Sequence, residues 1–334
     1  MEELYLVGGI LLYILTALDI IKTTLSSSGG GFIANKIGKG VWHALFLLSG
    51  KKGSSKLLQY AGPSVLVTVL LVWVIGLWGG FFLMLLSDPD SIKESTSPEL
   101  ALPIEKLYYA GFVVSTLGMG DYIATTHTWR MVSNVIAFTG LIFITVSITY
   151  FVQVLSATAL QNKLATYING LGRTPQHILI NSWNGKDFSA LSDKVSDLCQ
   201  MIIQHTMNHH SYPIIHYYHK INPQQSIIPT MARLYDAYCL LEHAVKEEAK
   251  LNELDRSMID KAFQAYHQTM LTDFIKEPDP DLPTPEQSTE ILKQRGIPVI
   301  DQQDIRSLSP QCTKQQILYA NLLKKEGWSW EQVY

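Results

Sequence analysis

Two stretches of this chain run uncharged for longer than a bilayer is thick. Between Lys56 and Asp88 the sequence reads LLQYAGPSVLVTVLLVWVIGLWGGFFLMLLS, and between Arg130 and Lys163 it is again uncharged. A hydrocarbon core needs about 20 apolar residues to cross it. It offers no water to backbone N–H and C=O groups, so segments of this kind cross it as helices. A third candidate, Leu4–Ile21, is shorter and carries Asp19 near its end. A cleaved signal starts basic, whereas this one starts with Glu2 and Glu3 and runs into Lys22. It reads as a retained anchor, with an interfacial helical hairpin as the alternative. The 334 residues are 47% hydrophobic and 16% charged, too apolar for a soluble protein and too polar for one wholly in the membrane. A membrane part and a soluble part follow.

Lysines set the expected orientation. Lys22, Lys36, Lys39, Lys51, Lys52 and Lys56 lie between the first two spans with no acid among them, while the Asp88–Lys106 loop is rich in acids. Basic loops stay cytoplasmic. This places the amino terminus and the acidic loop outside, and everything after about Lys163 inside, in a multi-pass protein of the cell membrane. A net charge of −3 gives no case for nucleic-acid binding. Cys199, Cys239 and Cys312 fall in the part expected to be cytoplasmic, where disulfides are rare, and they read as small buried apolar residues.

Between the two long spans lies a shorter apolar run, Leu107–Val114, which follows Pro103 and leads into STLGMGDY (Ser115–Tyr122). It is too short to cross a bilayer. A half-helix that dips in and returns as extended chain fits, and such backbone is tolerated in a membrane only where protein or water surrounds it. Its carbonyls then need a partner, which a dehydrated cation supplies.

In these residues the chain resembles the pore of potassium channels. TLGMGD is similar to the TVGYGD selectivity filter of that family. Tyr108 and Tyr109 stand in the place of its paired pore-helix aromatics, and Ser115–Thr116 replace its double threonine. Gly140 lies in the next span, where the family often carries a hinge glycine. The resemblance covers roughly residues 63–160 and implies an all-α membrane protein. In that fold a re-entrant pore helix and filter sit between two spans of a pore-loop tetrameric cation channel. Thr116, Leu117, Gly118, Met119 and Gly120 would then be the ion-binding residues, their carbonyls replacing the water shell of K+. Asp121 would form a charged ring at the outer mouth, with Tyr108, Tyr109 and Ser115 as support. One chain offers one strand of such a ring, so a homotetramer is implied. Met119 replaces the family's tyrosine and Val113 a common threonine, which leaves a weakly selective cation pore as the alternative.

No arginine-rich span precedes the pore, so no voltage sensor is expected. The inner span offers Ser, Thr and Gln but no carboxylate to the lower pore, which predicts modest conductance. Gly140 reads either as a hinge or as a packing glycine.

The expected organisation is an anchor span (1–25), a cytoplasmic linker with an interfacial helix (26–60), a pore domain (61–162) and a helical cytoplasmic domain (163–334). In the linker, SSSGGGF is flexible by composition, and Phe32, Ile33, Ile37, Val41, Leu45 and Leu48 recur at helical spacing. In the last domain, Phe188, Leu191, Val195, Leu198 and Ile202 form one apolar stripe behind Asp187 as helix cap. Met231, Leu234, Tyr238, Leu241 and Val245 form a second behind Pro229, and Met258, Ala262, Tyr266 and Met270 a third. KEPDPDLPTPE (Lys276–Glu286) breaks the pattern. No strand–glycine-loop–helix unit for nucleotides is present, nor a nucleophile–base set that would make an enzyme.

His205 and His209 share a helix face, as do His216 and His219 if helical. Three readings stand: a transition-metal site, aromatic-rich packing, and a pH sensor. For the whole, the leading reading is a gated potassium channel that binds membrane lipids and an unidentified cytoplasmic ligand. The alternative from another class is a membrane-anchored sensor or scaffold with a non-conducting pore.

Overall fold

The computed structural model describes residues 1–26, 29–285, 288–300 and 310–334. Ser27 and Ser28 of the serine–glycine linker, and Glu286 at the end of the proline-rich stretch, lie outside the described residues. The chain divides into two compact units, residues 1–41 with 63–155 and residues 42–62 with 156–334. The expected linker is therefore divided between them and is not a separate body.

The first unit holds α1 (Glu2–Leu25), the start of α2 (Phe32–Leu48), α3 (Ala61–Leu86), α4 (Pro103–Val114) and most of α5 (His127–Leu171). Among the described residues, three helices are long and apolar enough to cross a membrane: α1, α3 extended back to Leu58, and α5. α1 is one uninterrupted helix packed on α3, not a hairpin. A Cβ placed on Gly9 would lie 2.6 Å from the Gly80 carbonyl oxygen, the small-residue contact by which membrane helices approach closely. Two three-residue strands, β1 (Ile92–Glu94) and β2 (Tyr122–Ala124), pair antiparallel with Ile92 opposite Ala124. They tie the chain after the glycine motif to the chain before α4, a link that no sequence periodicity marks.

α2 covers the expected helix, but Ala34 and Gly38 are its buried residues. Phe32 and Leu48 of the apolar stripe are exposed. Gly38, which weakens helix propensity, is thus a packing position, while Ile33, Ile37, Val41 and Leu45 of the stripe are partly buried.

The second unit contains the end of α5 and α6 (Pro175–Ser182), α7 (Ser189–Ser211), α8 (Ile227–Ala244), α9 (Glu253–Asp273), α10 (Glu290–Gln294) and α11 (Pro310–Glu326). α7 packs on α9, and α8 lies against α6 and α11. The stripe of Phe188, Leu191, Val195, Leu198 and Ile202 is buried, as are Met231, Leu234, Leu241, Val245, Ala262, Tyr266 and Met270. Tyr238 and Met258 sit at the core's edge. The cap position before α7 is Phe188. Asp187, one residue earlier, accepts the Ser189 N–H at 3.0 Å. α8 begins at Ile227, two residues before Pro229.

The cysteines depart from expectation. Cys199 is a buried free thiol, but Cys239 and Cys312 form a disulfide that joins α8 to α11. Compartment arguments say nothing of proximity, and these residues face one another across the core, 1% and 5% exposed. Burial shields such a bond from the attacking thiolates that would exchange it.

Candidate ion pathway

α4 is fixed from both sides. The Lys106 ammonium, buried, donates to the carbonyls of Leu85, Asp88 and Pro89 at 3.1, 2.6 and 3.0 Å, closing the carboxyl end of α3. The Trp78 indole donates to the Leu107 carbonyl at 2.8 Å. Tyr109 donates to the Ser133 hydroxyl on α5 at 2.9 Å.

Past Val114 the backbone changes character. Thr116, Gly118 and Gly120 have φ of +59°, +60° and +83°, while Leu117 and Met119 between them do not enter the positive region. An ordinary strand sends successive carbonyls to opposite sides. A left-handed residue at every second position turns them toward the same side, and glycine adopts that conformation at no steric cost. Thr116 adopts it as a β-branched residue, an outlier of the kind held only where surrounding structure fixes it. Here the N–H of Thr116 and of Leu117 are bonded to the α4 carbonyls of Val113 and Phe112 at 3.0 and 2.8 Å.

Residues 115–120 are all exposed in the single chain, Leu117 by 66% and Met119 by 58%. Asp121 follows, its carbonyl accepting the Ser95 N–H at 2.8 Å. The Tyr108 ring packs edge-on against Phe112 and Tyr122, with centroids 5.4 and 6.2 Å apart. The two tyrosines differ in contact: Tyr109 braces α4 on α5, and Tyr108 packs on the ring of Tyr122 just past the motif.

Gly140 sits directly under this element. A Cβ there would lie 2.1 Å from the Val114 carbonyl oxygen, closer than any real contact. α5 runs through Gly140 as unbroken helix. Close packing thus accounts for this glycine, and a hinge is not needed to explain it.

Sequence reading missed Asp19. Its carboxylate is 5% exposed and accepts three bonds: the N–H of Ile33 at 2.8 Å, the N–H of Ala34 at 3.2 Å, and the Trp73 indole at 2.9 Å. It therefore caps the amino end of α2 from α1 while holding α3. A carboxylate inside an apolar run was the available signal, and helix amino ends favour such a charge.

Residues 68–157 match a family model described as an ion channel. This region is an ion channel domain. Over 304 residues, 91% of this chain and 88% of the relative, the sequence is 32% identical to "Uncharacterized membrane protein YdjJ" of Bacillus subtilis (strain 168). The chain belongs to that membrane-protein family, and the likeness extends well beyond the ion channel domain. No solved structure matches it.

Of the three readings of the histidines in the second unit, the metal site finds no support in their geometry. His205, His209 and His216 are adjacent, with ring centroids 5.6 and 5.4 Å apart in edge-on pairs, and Phe274 packs on the last two. His219 turns away, donating from Nε2 to the Gly53 carbonyl at 2.6 Å and stacking on Trp328. Among the described residues no group of three or more His, Cys, Asp or Glu is placed to hold a metal ion.

Burial lowers the imidazole pKa of His205 to about 4 and of His267 to about 3, and holds that of His209 well below its ordinary value. A base depressed in the folded state stays neutral while the unfolded chain takes up protons below its ordinary value near 6.5. Stability therefore falls as pH drops from about 6.5 toward 4, by about 2 kcal/mol per buried histidine at pH 5. Glu326 works oppositely. Burial raises its carboxyl to about 8, so its contribution is lost as pH rises from 4.5 to 8. Thermal unfolding across pH should show a maximum near neutrality and a steep acid limb. His205→Phe should flatten the acid limb, and an unchanged limb would show that this histidine is not held neutral.

Proposed function

We propose that four copies of this chain surround the Thr116–Gly120 backbone to form a potassium-selective channel whose gate is controlled by the helical domain. The observation that carries this reading is the alternation of left-handed and ordinary residues from Thr116 to Gly120, directly after a half-length helix in an ion channel domain. Carbonyls of Thr116, Leu117, Gly118 and Met119 turned to one side supply the oxygens that replace an ion's hydration. The exposure of every residue from 115 to 120 in a single chain is what a strand completed by its copies requires. α4 directs its carboxyl end, with its partial negative charge, toward the same place and favours a cation there. Asp121 adds a charged ring at the mouth.

The lysines of residues 22–56 support a cytoplasmic helical domain and an outside amino terminus. Two continuous elements then lead from pore to domain: α5, a single helix from His127 to Leu171, and α2, capped at one end by Asp19. Membrane lipids surround the spans.

Gly118→Ala tests the reading. Alanine in the left-handed region costs about 1–2 kcal/mol, repeated in every copy of a ring. Purified variant protein in planar bilayers should carry no current. Gly8→Ala, where an added Cβ meets nothing within 4 Å, should conduct normally. Current through Gly118→Ala at the parent level would refute the assignment.

A further inference from the structure

A cavity of about 660 Å³ lies within the second unit, between the end of α2 and the end of α11. Lys51, Lys324, Lys325 and His43 line it together with Phe46 and Trp328, and no carboxylate does. Its two walls are joined by backbone: the Gly53 N–H donates to the Gly327 carbonyl at 2.9 Å. His219 stacks on Trp328 and donates to the Gly53 carbonyl from behind. Lys51 is held in the left-handed region, φ +59°, by its N–H bond to the Phe46 carbonyl at 3.0 Å, which ends α2.

The cations are only partly balanced. Lys324 pairs with Asp279 at 3.5 Å, Lys325 donates to the Phe274 carbonyl at 2.6 Å, and Lys51 has no ion-pair partner among the described residues. Glu326, next in sequence, is buried, and burial raises its carboxyl to about 8, so at neutral pH it does not cancel them. A cavity with three ammonium groups, an imidazole and aromatic walls suits a phosphate carried on a less polar body.

Chain connectivity places one wall near the membrane. Lys51 precedes Leu58, where the second apolar span opens, by seven residues, no more than about 25 Å of chain. Lys52 and Lys56 lie in the same segment, and basic segments beside spans attract anionic lipid.

We infer that this cavity is a binding site for a phosphate group, from an anionic phospholipid headgroup or a soluble phosphorylated compound, which fastens the linker to α11. The test uses the full chain in nanodiscs and reads binding without current, so its outcome is separate from whether the pore conducts. Thermal-unfolding midpoints are compared in phosphatidylcholine alone, with added phosphatidylglycerol, and with inorganic pyrophosphate over phosphatidylcholine. A rise with phosphatidylglycerol only assigns the site to lipid, and a rise with pyrophosphate only assigns it to a soluble ligand. Replacing Lys51, Lys324 and Lys325 by glutamine should weaken the effective ligand about 100-fold, at about tenfold or less for each lysine. Replacing Lys22, Lys36 and Lys39, which remove the same charge outside the cavity, should leave its affinity within a few-fold. Equal losses in the two triple variants would mean diffuse surface attraction and overturn the site, as would no stabilisation by either phosphate source.

Discussion

Asp19→Ala is expected to be the most destabilising single change in the membrane-spanning unit. It strands three donors at once: the half-buried N–H of Ile33, the buried N–H of Ala34, and the buried indole of Trp73 on α3. Each unpaired buried group costs about 1–3 kcal/mol. The variant should unfold at a clearly lower temperature in detergent. Asp19→Asn keeps one acceptor oxygen and should fall between. In bilayers, whatever channels survive should show altered open probability with unchanged ion selectivity, because Asp19 lies on the α2 connection and not on the Thr116–Gly120 backbone. A melting temperature equal to the parent's would show that this carboxylate does not clamp α1, α2 and α3 together.

The second large effect is expected from Gly140→Ala. The added methyl meets the Val114 oxygen at 2.1 Å, its carbonyl carbon at 3.0 Å and its Cα at 3.4 Å. All are backbone atoms, so no side-chain rotation relieves the clash. Overpacking of this kind costs about 1–3 kcal/mol, and the displaced atoms end α4 one residue before Ser115. Close approach therefore predicts lower stability together with changed unitary conductance. A hinge predicts changed open probability with unitary conductance and stability intact. Single-channel recording with a melting curve separates the two, and the structure favours the first.

The sequence was most legible where a single physical demand dominates. Apolar runs long enough to cross a bilayer gave α1, α3 and α5, because nothing else satisfies backbone groups there. The glycine-spaced motif after a short apolar run gave α4 and the backbone that follows it. The apolar stripes of α7, α8 and α9 could be read from periodicity because one buried face was enough to define each helix.

What escaped was contact between residues distant in sequence. The three bonds of Asp19 reach residues on α2 and α3, and the Lys106 ammonium reaches back to the end of α3. The disulfide of Cys239 with Cys312 joins two helices whose sequences separately show only apolar positions. The four histidines had metal-like spacing, yet the turn at residues 213–217 sends His219 toward Gly53. Spacing fixes which residues share a helix face, but not which faces meet. Division of the linker followed the same pattern, since Trp42 packs on Tyr217 and His219 from far down the chain.

Whether the proposed Thr116–Gly120 pathway selects potassium is tested most directly by the reversal potential. Purified protein in a planar bilayer, with potassium on one side and sodium on the other, should give a large reversal potential of the potassium-selective sign. That result would mean the carbonyl arrangement holds its dimensions with Met119 in place of a tyrosine. Current that reverses near zero would contradict potassium selectivity and make the protein a general cation pore. The absence of current from folded, correctly inserted protein would contradict the channel itself.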